Sequence, residues 1–122
     1  IALKKNLIEK SRVIKGIRLI TLRQGTYNQD TVREVAFMLY KELTSAVFIS
    51  ALPSSDGKAN LTLMYTDDLV KNGANASADI KIAAKLIQGG GGGQNFLATA
   101  GGKNVEGLDE AADKLEEIAL SR

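Results

Sequence analysis

The chain has 122 residues, of which 44% are hydrophobic and 25% are charged, as is usual for one globular domain. It contains no cysteine and no histidine, which excludes disulfides and thiolate metal sites and removes both the commonest general base and the commonest transition-metal ligand. The absence of cysteine fits a cytoplasmic protein, and the lack of a long apolar run predicts no contact with a membrane.

Charge is distributed unevenly along the chain, although the net charge is only +2. Residues 1–23 contain seven basic residues and one acid, whereas residues 104–122 contain six acids and two basic residues. This pattern allows a basic face for nucleic acid beside an acidic helix that takes no part in binding. The alternative is that the charges only cover solvated helix faces.

The first elements in chain order predict a parallel crossover. Residues 1–13 have the pattern of the end of a helix. Because the chain opens without Met, we expect them to be the end of an upstream helical segment. The globular domain is then expected at residues 14–122. Residues 17–22 predict a strand, and residues 29–43 predict a helix that Asn28 caps. Residues 46–52 are almost continuously apolar, which is typical of a strand covered on both faces. A strand, a helix and a strand at this spacing form a right-handed crossover.

The second half predicts a hairpin followed by helices. The Asp56–Gly57 turn sends residues 61–66 back antiparallel to the preceding strand. Asp67 or Asp68 is expected to cap a short helix that ends at Gly73. Further helices are predicted over residues 79–88, with Ser77 as the cap, and over residues 107–120; a short strand is predicted over residues 96–100. The overall prediction is a single α/β domain with a mixed sheet of about four or five strands and flanking helices.

Five consecutive glycines, Gly89–Gly93, stand out between the predicted elements. Seven of the twelve glycines fall within residues 89–102, so this part of the chain needs a backbone conformation or a close approach that only glycine permits. Because glycine loses more backbone freedom on ordering than any other residue, we predict an ordered loop here and not a strand. Such a loop brings backbone amides close to a phosphate or to another chain; the alternative is a slack linker.

Familiar catalytic and nucleotide-binding motifs are absent. Leu97 and Asn104 stand where a phosphate-binding loop requires glycine and Ser or Thr, and Gln94 stands where a dinucleotide fingerprint requires its third glycine. A Ser–Lys nucleophile would have to form in the hairpin turn around Lys58. The chain alone is therefore not expected to be a catalyst, and no catalytic residue, metal ligand or cofactor is assigned.

Binding of nucleic acid is the remaining chemistry, through backbone amides and nearby cations. Phe96 could stack on a base, or could belong to the core. The candidate binding residues are Lys85, Gly90, Gly91, Gly92, Gly93, Gln94, Asn95, Gly101, Gly102 and Lys103, extended by Lys4, Lys5 and Lys10.

The segments 67–73, 80–87, 89–93, 98–104 and 108–111 together resemble the C-terminal globular domain of bacterial alanyl-tRNA synthetases, which belongs to the DHHA1 family. The resemblance implies a domain that binds tRNA(Ala), helps to bring the editing and aminoacylation centres onto one tRNA, and forms a homodimer in some members. ATP and Mg²⁺, and Zn²⁺ in the editing domain, would then belong to the rest of the synthetase chain.

Two residues depart from the family pattern. Phosphoesterase relatives often have His where this chain has Gln94, and many synthetases have Pro where it has Asn95. A dimerisation module of the same enzyme remains an alternative function. So does a substrate-binding accessory domain of a DHH phosphoesterase, which would require Asp-His-His motifs upstream.

Overall fold

A computed structural model describes residues 2–121. The helices are α1 (Ala2–Lys10), α2 (Gln29–Glu42), α3 (Asp67–Lys71), α4 (Ala76–Ala84) and α5 (Leu108–Leu120). The strands are β1 (Arg12–Ile14), β2 (Ile17–Leu22), β3 (Ala46–Pro53), β4 (Ala59–Tyr65), β5 (Gly89–Gly93) and β6 (Leu97–Gly102). Short 3₁₀ turns at Lys85–Ile87 and Val105–Gly107 follow α4 and precede α5.

The described residues form one mixed sheet of six strands in the order β1-β2-β3-β4-β6-β5. β2 and β3 are parallel and the other neighbouring pairs are antiparallel, so the predicted parallel pairing of β2 with β3 and the predicted hairpin are both confirmed. The crossover helix begins where expected, because the side chain of Asn28 accepts a hydrogen bond of 2.8 Å from the amide of Thr31. The strands that the sequence did not predict are β1 and β5, one at each edge of the sheet.

β3 lies at the centre of the sheet and is covered on both faces, as predicted. Val47 and Ile49 pack in a core cluster with α4 and α5, whereas Phe48 and Leu52 pack in a second cluster with α1 and α2. The domain is therefore a three-layer α/β structure, with the sheet between the two pairs of helices.

The boundaries of α1 and α4 differ from the prediction. The first helix ends at Lys10 and not near residue 13, because Arg12–Ile14 forms β1 against β2. α4 begins at Ala76, before the predicted start, and its cap is Asn75 and not Ser77. Ile82 is 46% exposed, because it lies outside the helical stripe that buries Ile80, Ala83 and Ala84.

Asp67 and Asp68 begin α3, but they do not cap it. Thr66 occupies the cap position, and both acids lie in the first turn of the helix. The carboxylate of Asp68 instead accepts hydrogen bonds from the amide and hydroxyl of Ser45 and from the hydroxyl of Thr66, at 2.7 to 3.0 Å. Its role is to tie α3 to the loop between α2 and β3.

Candidate functional site

The five glycines form strand β5, and the prediction of a loop was therefore wrong. β5 pairs antiparallel with β6, in a register that sets Gly89 opposite Gly102 and Gly93 opposite Ala98. Because β5 is the last strand of the sheet, its other edge has no strand beside it among residues 2–121. The site is thus a bare, ordered strand at an open sheet edge.

Alternate glycines are required for this pairing. A Cβ at Gly89 would lie 1.9 Å from the carbonyl oxygen of Gly101, and one at Gly91 would lie 2.3 Å from that of Thr99. A Cβ at Gly93 would lie 2.7 Å from the carbonyl oxygen of Leu97. These distances are too short for any side chain. Glycine is therefore needed at these three positions because β5 lies so close to β6, and not because the segment is a flexible loop.

At three other glycines, the neighbouring atoms leave room for a side chain. A Cβ at Gly90 would meet nothing within 4 Å, and one at Gly92 would come no closer than 3.7 Å to any atom. Gly101, which lies opposite Gly90, would bring its Cβ no closer than 3.6 Å to the side chain of Asn60. These residues leave backbone open at the surface.

α2 packs over β3 and β4, and Leu97 at the start of β6 packs against the same core cluster. The rest of this face of β6, and that of β5, is not covered by α2. A groove of about 390 Å³ follows this face and is lined by Gln29, Asn60, Thr99 and the backbone of residues 90–92 and 100–101. A second groove, of about 370 Å³, is lined by Lys58, Asn60, Lys103 and residues 88–89 and 101–102. Because they share Asn60 and Gly101, the two form one continuous surface, which we call the glycine groove.

The middle of the glycine groove carries neutral polar groups. The side-chain amide of Gln29 donates hydrogen bonds to the buried hydroxyl of Thr62 at 2.9 Å and to the carbonyl oxygen of Leu61 at 3.4 Å. The side chains of Asn60 and Thr99 make no hydrogen bond with any residue that the structure describes. Both are therefore available to a ligand.

One end of the glycine groove carries two cations. Lys58 and Lys103 line it together, and within residues 2–121 neither ammonium group is close enough to a carboxylate to form an ion pair, although the charge of Lys58 attracts the nearby carboxylate of Asp56. Lys85 was predicted to act with Lys103, but it lies on the exposed surface of the turn after α4 and does not line this groove. Lys81 lies close to β5 on the side of α4: its Cε is 3.7 Å from the position that a Cβ of Gly92 would occupy.

Gln94 and Asn95 form the exposed turn between β5 and β6, at the opposite end from Lys103. The amide of Gln94 donates to the carbonyl oxygen of Leu97, and the carbonyl oxygen of Asn95 accepts from the amide of Ala76, both at 2.8 Å. These contacts fix the turn against the start of α4.

Phe96 is half-buried in a cluster of three aromatic rings. It stacks on Tyr40, with ring centroids 4.3 Å apart, and lies 6.4 Å from Phe37. One face of its ring is therefore occupied by Tyr40. The exposed member of the cluster is Phe37, whose ring lies beneath the ammonium group of Lys41.

The N-terminal lysines lie away from the glycine groove. α1 packs against β2 and α2, and Lys4 forms an ion pair of 2.6 Å with Glu42, while Lys5 and Lys10 are exposed. β2 is separated from β5 by three strands, which corresponds to about 19 Å across the sheet. Lys4, Lys5 and Lys10 are thus a separate basic surface and do not extend the groove.

Part of the basic N-terminal charge is neutralised by the acidic C-terminal helix. Arg23 pairs with Asp113 and Glu116 of α5, and Arg12 also pairs with Glu116. Burial would lower the pKa of Arg23, but its hydrogen bonds to these carboxylates outweigh burial and raise it. The uneven charge of the sequence is therefore in part a set of internal contacts that α5 makes with β1 and with the residue that follows β2.

Within residues 2–121 no group of three or more His, Cys, Asp and Glu side chains lies close enough to bind a metal ion. In that part of the chain, none of the helices has the length and apolar character needed to cross a bilayer.

Sequence reasoning missed the polar lining of the groove. Lys58 and Asn60 follow the hairpin turn, and they reach the glycines only because β4 pairs with β6, which no local pattern reveals. Thr99 could have been found, since alternation along β6 places it on one face with Leu97 and Gly101.

Comparisons with known proteins agree on one family. The family model of the DHHA1 domain matches residues 16–120. The alanine–tRNA ligase of Bacteroides thetaiotaomicron is 43% identical over 118 residues, which are 97% of this chain and 13% of that protein. The alanine–tRNA ligase of Parabacteroides distasonis is 45% identical over 116 residues, which are 94% of this chain and again 13% of the relative.

The fold comparison gives the same result. The crystal structure of the C-Ala domain from Aquifex aeolicus alanyl-tRNA synthetase matches with a TM-score of 0.75 and 26% sequence identity. The match covers 91% of this chain and 98% of that domain. The chain therefore corresponds to one domain of a much longer relative.

Proposed function

This chain belongs to the DHHA1 domain family, and we propose from that premise that it is the tRNA-binding C-Ala domain of an alanine–tRNA ligase. The parent enzyme would be an ATP-dependent ligase with an editing activity. In it, this domain would help to position tRNA(Ala) for aminoacylation and editing. The proposal is supported by the family match and by relatives that bear the name alanine–tRNA ligase.

The observation that carries the proposal is the glycine groove. It combines open backbone at Gly90 and Gly101 with unpaired ammonium groups at Lys58 and Lys103. A polyanion with a hydrogen-bonding backbone needs such a surface, because cations attract its phosphates while bare strands allow close approach. Lys85, Gln94 and Asn95 border the same two strands and are proposed as outer contacts.

The catalytic work would take place elsewhere in the parent chain. ATP, Mg²⁺ and Zn²⁺ are proposed as cofactors of the other domains, and the cytoplasm as the site of action. With neither histidine nor cysteine, this domain would contribute binding and positioning alone.

The test is the salt dependence of the affinity for tRNA(Ala). Replacing Lys58 and Lys103 together by Ala should weaken binding and lower the log–log salt slope by about one to two, since each lost phosphate contact removes roughly 0.7 to 0.9. The matched control replaces Lys71 and Lys114, which pair with Asp67 and Glu117 on other surfaces. Unchanged affinity and slope in the Lys58/Lys103 variant would contradict the proposal.

A second candidate function is dimerisation through β5. An edge strand presents unpaired amides and carbonyls, and this one has no side chains to keep a second copy away. The mass in solution, measured with and without tRNA(Ala), distinguishes the two. Dimerisation predicts twice the monomer mass without RNA, whereas tRNA binding predicts a monomer that gains the mass of one tRNA.

A further inference from the structure

The glycine groove has two chemically different halves. The end formed by Lys58 and Lys103 is cationic, whereas the middle, formed by Gln29, Asn60 and Thr99, carries no charge. Asn60 belongs to both halves and lies two residues from Lys58 along β4, a separation of about 6.6 Å. The two halves are therefore close enough to contact the phosphate and the sugar of neighbouring nucleotides.

The orientation of the Gln29 side chain is fixed by its partners. A carbonyl oxygen can only accept a hydrogen bond, so the amide atom within 3.4 Å of the Leu61 carbonyl must be the nitrogen. The same nitrogen contacts the hydroxyl of Thr62, which is fully buried. The amide oxygen of Gln29 is left as an acceptor without a donor among the described residues.

Asn60 and Thr99 add both kinds of hydrogen-bonding group. The amide of Asn60 donates and accepts, and so does the hydroxyl of Thr99, and neither side chain has a partner within residues 2–121. A ligand hydroxyl, which is at once donor and acceptor, satisfies this set without a charge. A phosphate would find acceptors here that it cannot satisfy.

We propose that the middle of the glycine groove binds ribose 2′-hydroxyl groups while Lys58 and Lys103 bind the adjoining phosphates, so that the domain selects RNA over DNA. This inference rests on the proposed function, because it assigns the chemistry of the same groove. The selection follows from hydrogen bonding: without the 2′-hydroxyl, the polar groups that lose their water on binding have no replacement partner.

The experiment compares the affinity of the chain for three tRNA(Ala) samples: unmodified, with 2′-fluoro pyrimidines, and with 2′-fluoro purines. Fluorine preserves the sugar pucker of RNA but cannot donate a hydrogen bond. We expect at least one fluorinated sample to bind about tenfold more weakly than unmodified tRNA, as the loss of one or two hydrogen bonds would produce. Equal affinity for all three samples would overturn the inference.

Variants assign the effect to the groove. Thr99→Val, which keeps the shape of the side chain, and Asn60→Ala should each reduce the ratio between unmodified and fluorinated tRNA while leaving the salt slope unchanged. If the ratio of the two affinities is unchanged in both variants, the hydroxyl contact lies elsewhere and the inference is refuted. The inference is also refuted if the variants bind unmodified and fluorinated tRNA(Ala) more weakly by the same factor. Melting temperatures confirm that each variant is folded.

The same experiment separates this inference from the proposed function. Lys58→Ala/Lys103→Ala should weaken binding of all three samples equally and lower the salt slope. If that variant behaves as expected but fluorine has no effect, only the hydroxyl inference fails. If the wild-type chain does not bind tRNA(Ala), the proposed function itself fails.

Discussion

Asp68 holds the start of α3 against the loop before β3 through its ionised carboxylate. Burial would raise its pKa, but hydrogen bonds from the amide of Ser45, the hydroxyl of Thr66 and the hydroxyl of Ser45 hold the pKa at about 2, below the ordinary value of 3.8. A carboxylate with a lowered pKa in the folded state stabilises the fold at pH values above its unfolded pKa. That stabilisation is lost as the pH falls from about 4 towards 2.

Asp68→Asn should therefore lower the free energy of unfolding near pH 7 by about 1.5 to 3 kcal/mol, the usual range for hydrogen bonds to a charged group. Denaturant unfolding at several pH values measures this difference. The gap between wild type and variant should narrow below about pH 4, where the wild-type carboxylate begins to be protonated. If the difference in the free energy of unfolding between wild type and Asp68→Asn does not change with pH, the charge of Asp68 contributes nothing to stability.

Two buried hydroxyl groups should behave in opposite ways when they are removed. Tyr65 donates a hydrogen bond of 2.5 Å to the buried carboxylate of Asp79, whereas the Ser50 hydroxyl has no partner among the described residues. Tyr65→Phe should cost about 1 to 3 kcal/mol, while Ser50→Ala should be neutral or slightly stabilising. Thermal unfolding of both variants checks this, and a destabilising Ser50→Ala would reveal a partner for that hydroxyl.

At the level of the elements, the pairing of β5 with β6 depends on glycine at alternate positions of β5. Gly91→Ala should separate β5 from β6, because its Cβ would lie 2.3 Å from the Thr99 carbonyl oxygen, whereas Gly90→Ala should leave the pairing intact. Hydrogen exchange of the β6 amides measures this pairing. Similar protection in both variants would contradict the register of β5 against β6.

The elements with local signals were predictable from the sequence. The Asn28 cap and the apolar stripe of α2 predicted its start, and the continuous apolar run predicted the position of β3 in the sheet. β5 could not be predicted, because a glycine strand is stable only where β6 approaches it closely, and that contact is not local. β1 is three residues long and mostly exposed, so it has no apolar alternation to reveal it.

The candidate site was predicted only in part for the same reason. The glycines and Lys103 were recognised because they are neighbours in sequence. Lys58, Asn60 and Gln29 join them through β4 and α2, and Lys85 falls outside the groove because α4 gives way to a 3₁₀ turn before β5.

For the molecule as a whole, the groove and α1 are alternative surfaces for a polyanion. α1 packs against β2, whereas the groove runs along β4, β6 and β5, which lie about 10 to 19 Å from β2 across the sheet. Arg12 and Arg23 are already paired with α5, and Lys5 and Lys10 are the exposed lysines of the α1 surface. Locating the RNA on the chain therefore decides between them.

The most direct measurement is an amide NMR titration of the chain with tRNA(Ala), in which glycine signals fall in a region of their own. We predict that the signals of Gly90, Gly92 and Gly101 and of the neighbouring Lys58 and Lys103 change first and most strongly. Those of α1 should stay in place. Changes confined to α1, with the glycine signals unmoved, would contradict this prediction.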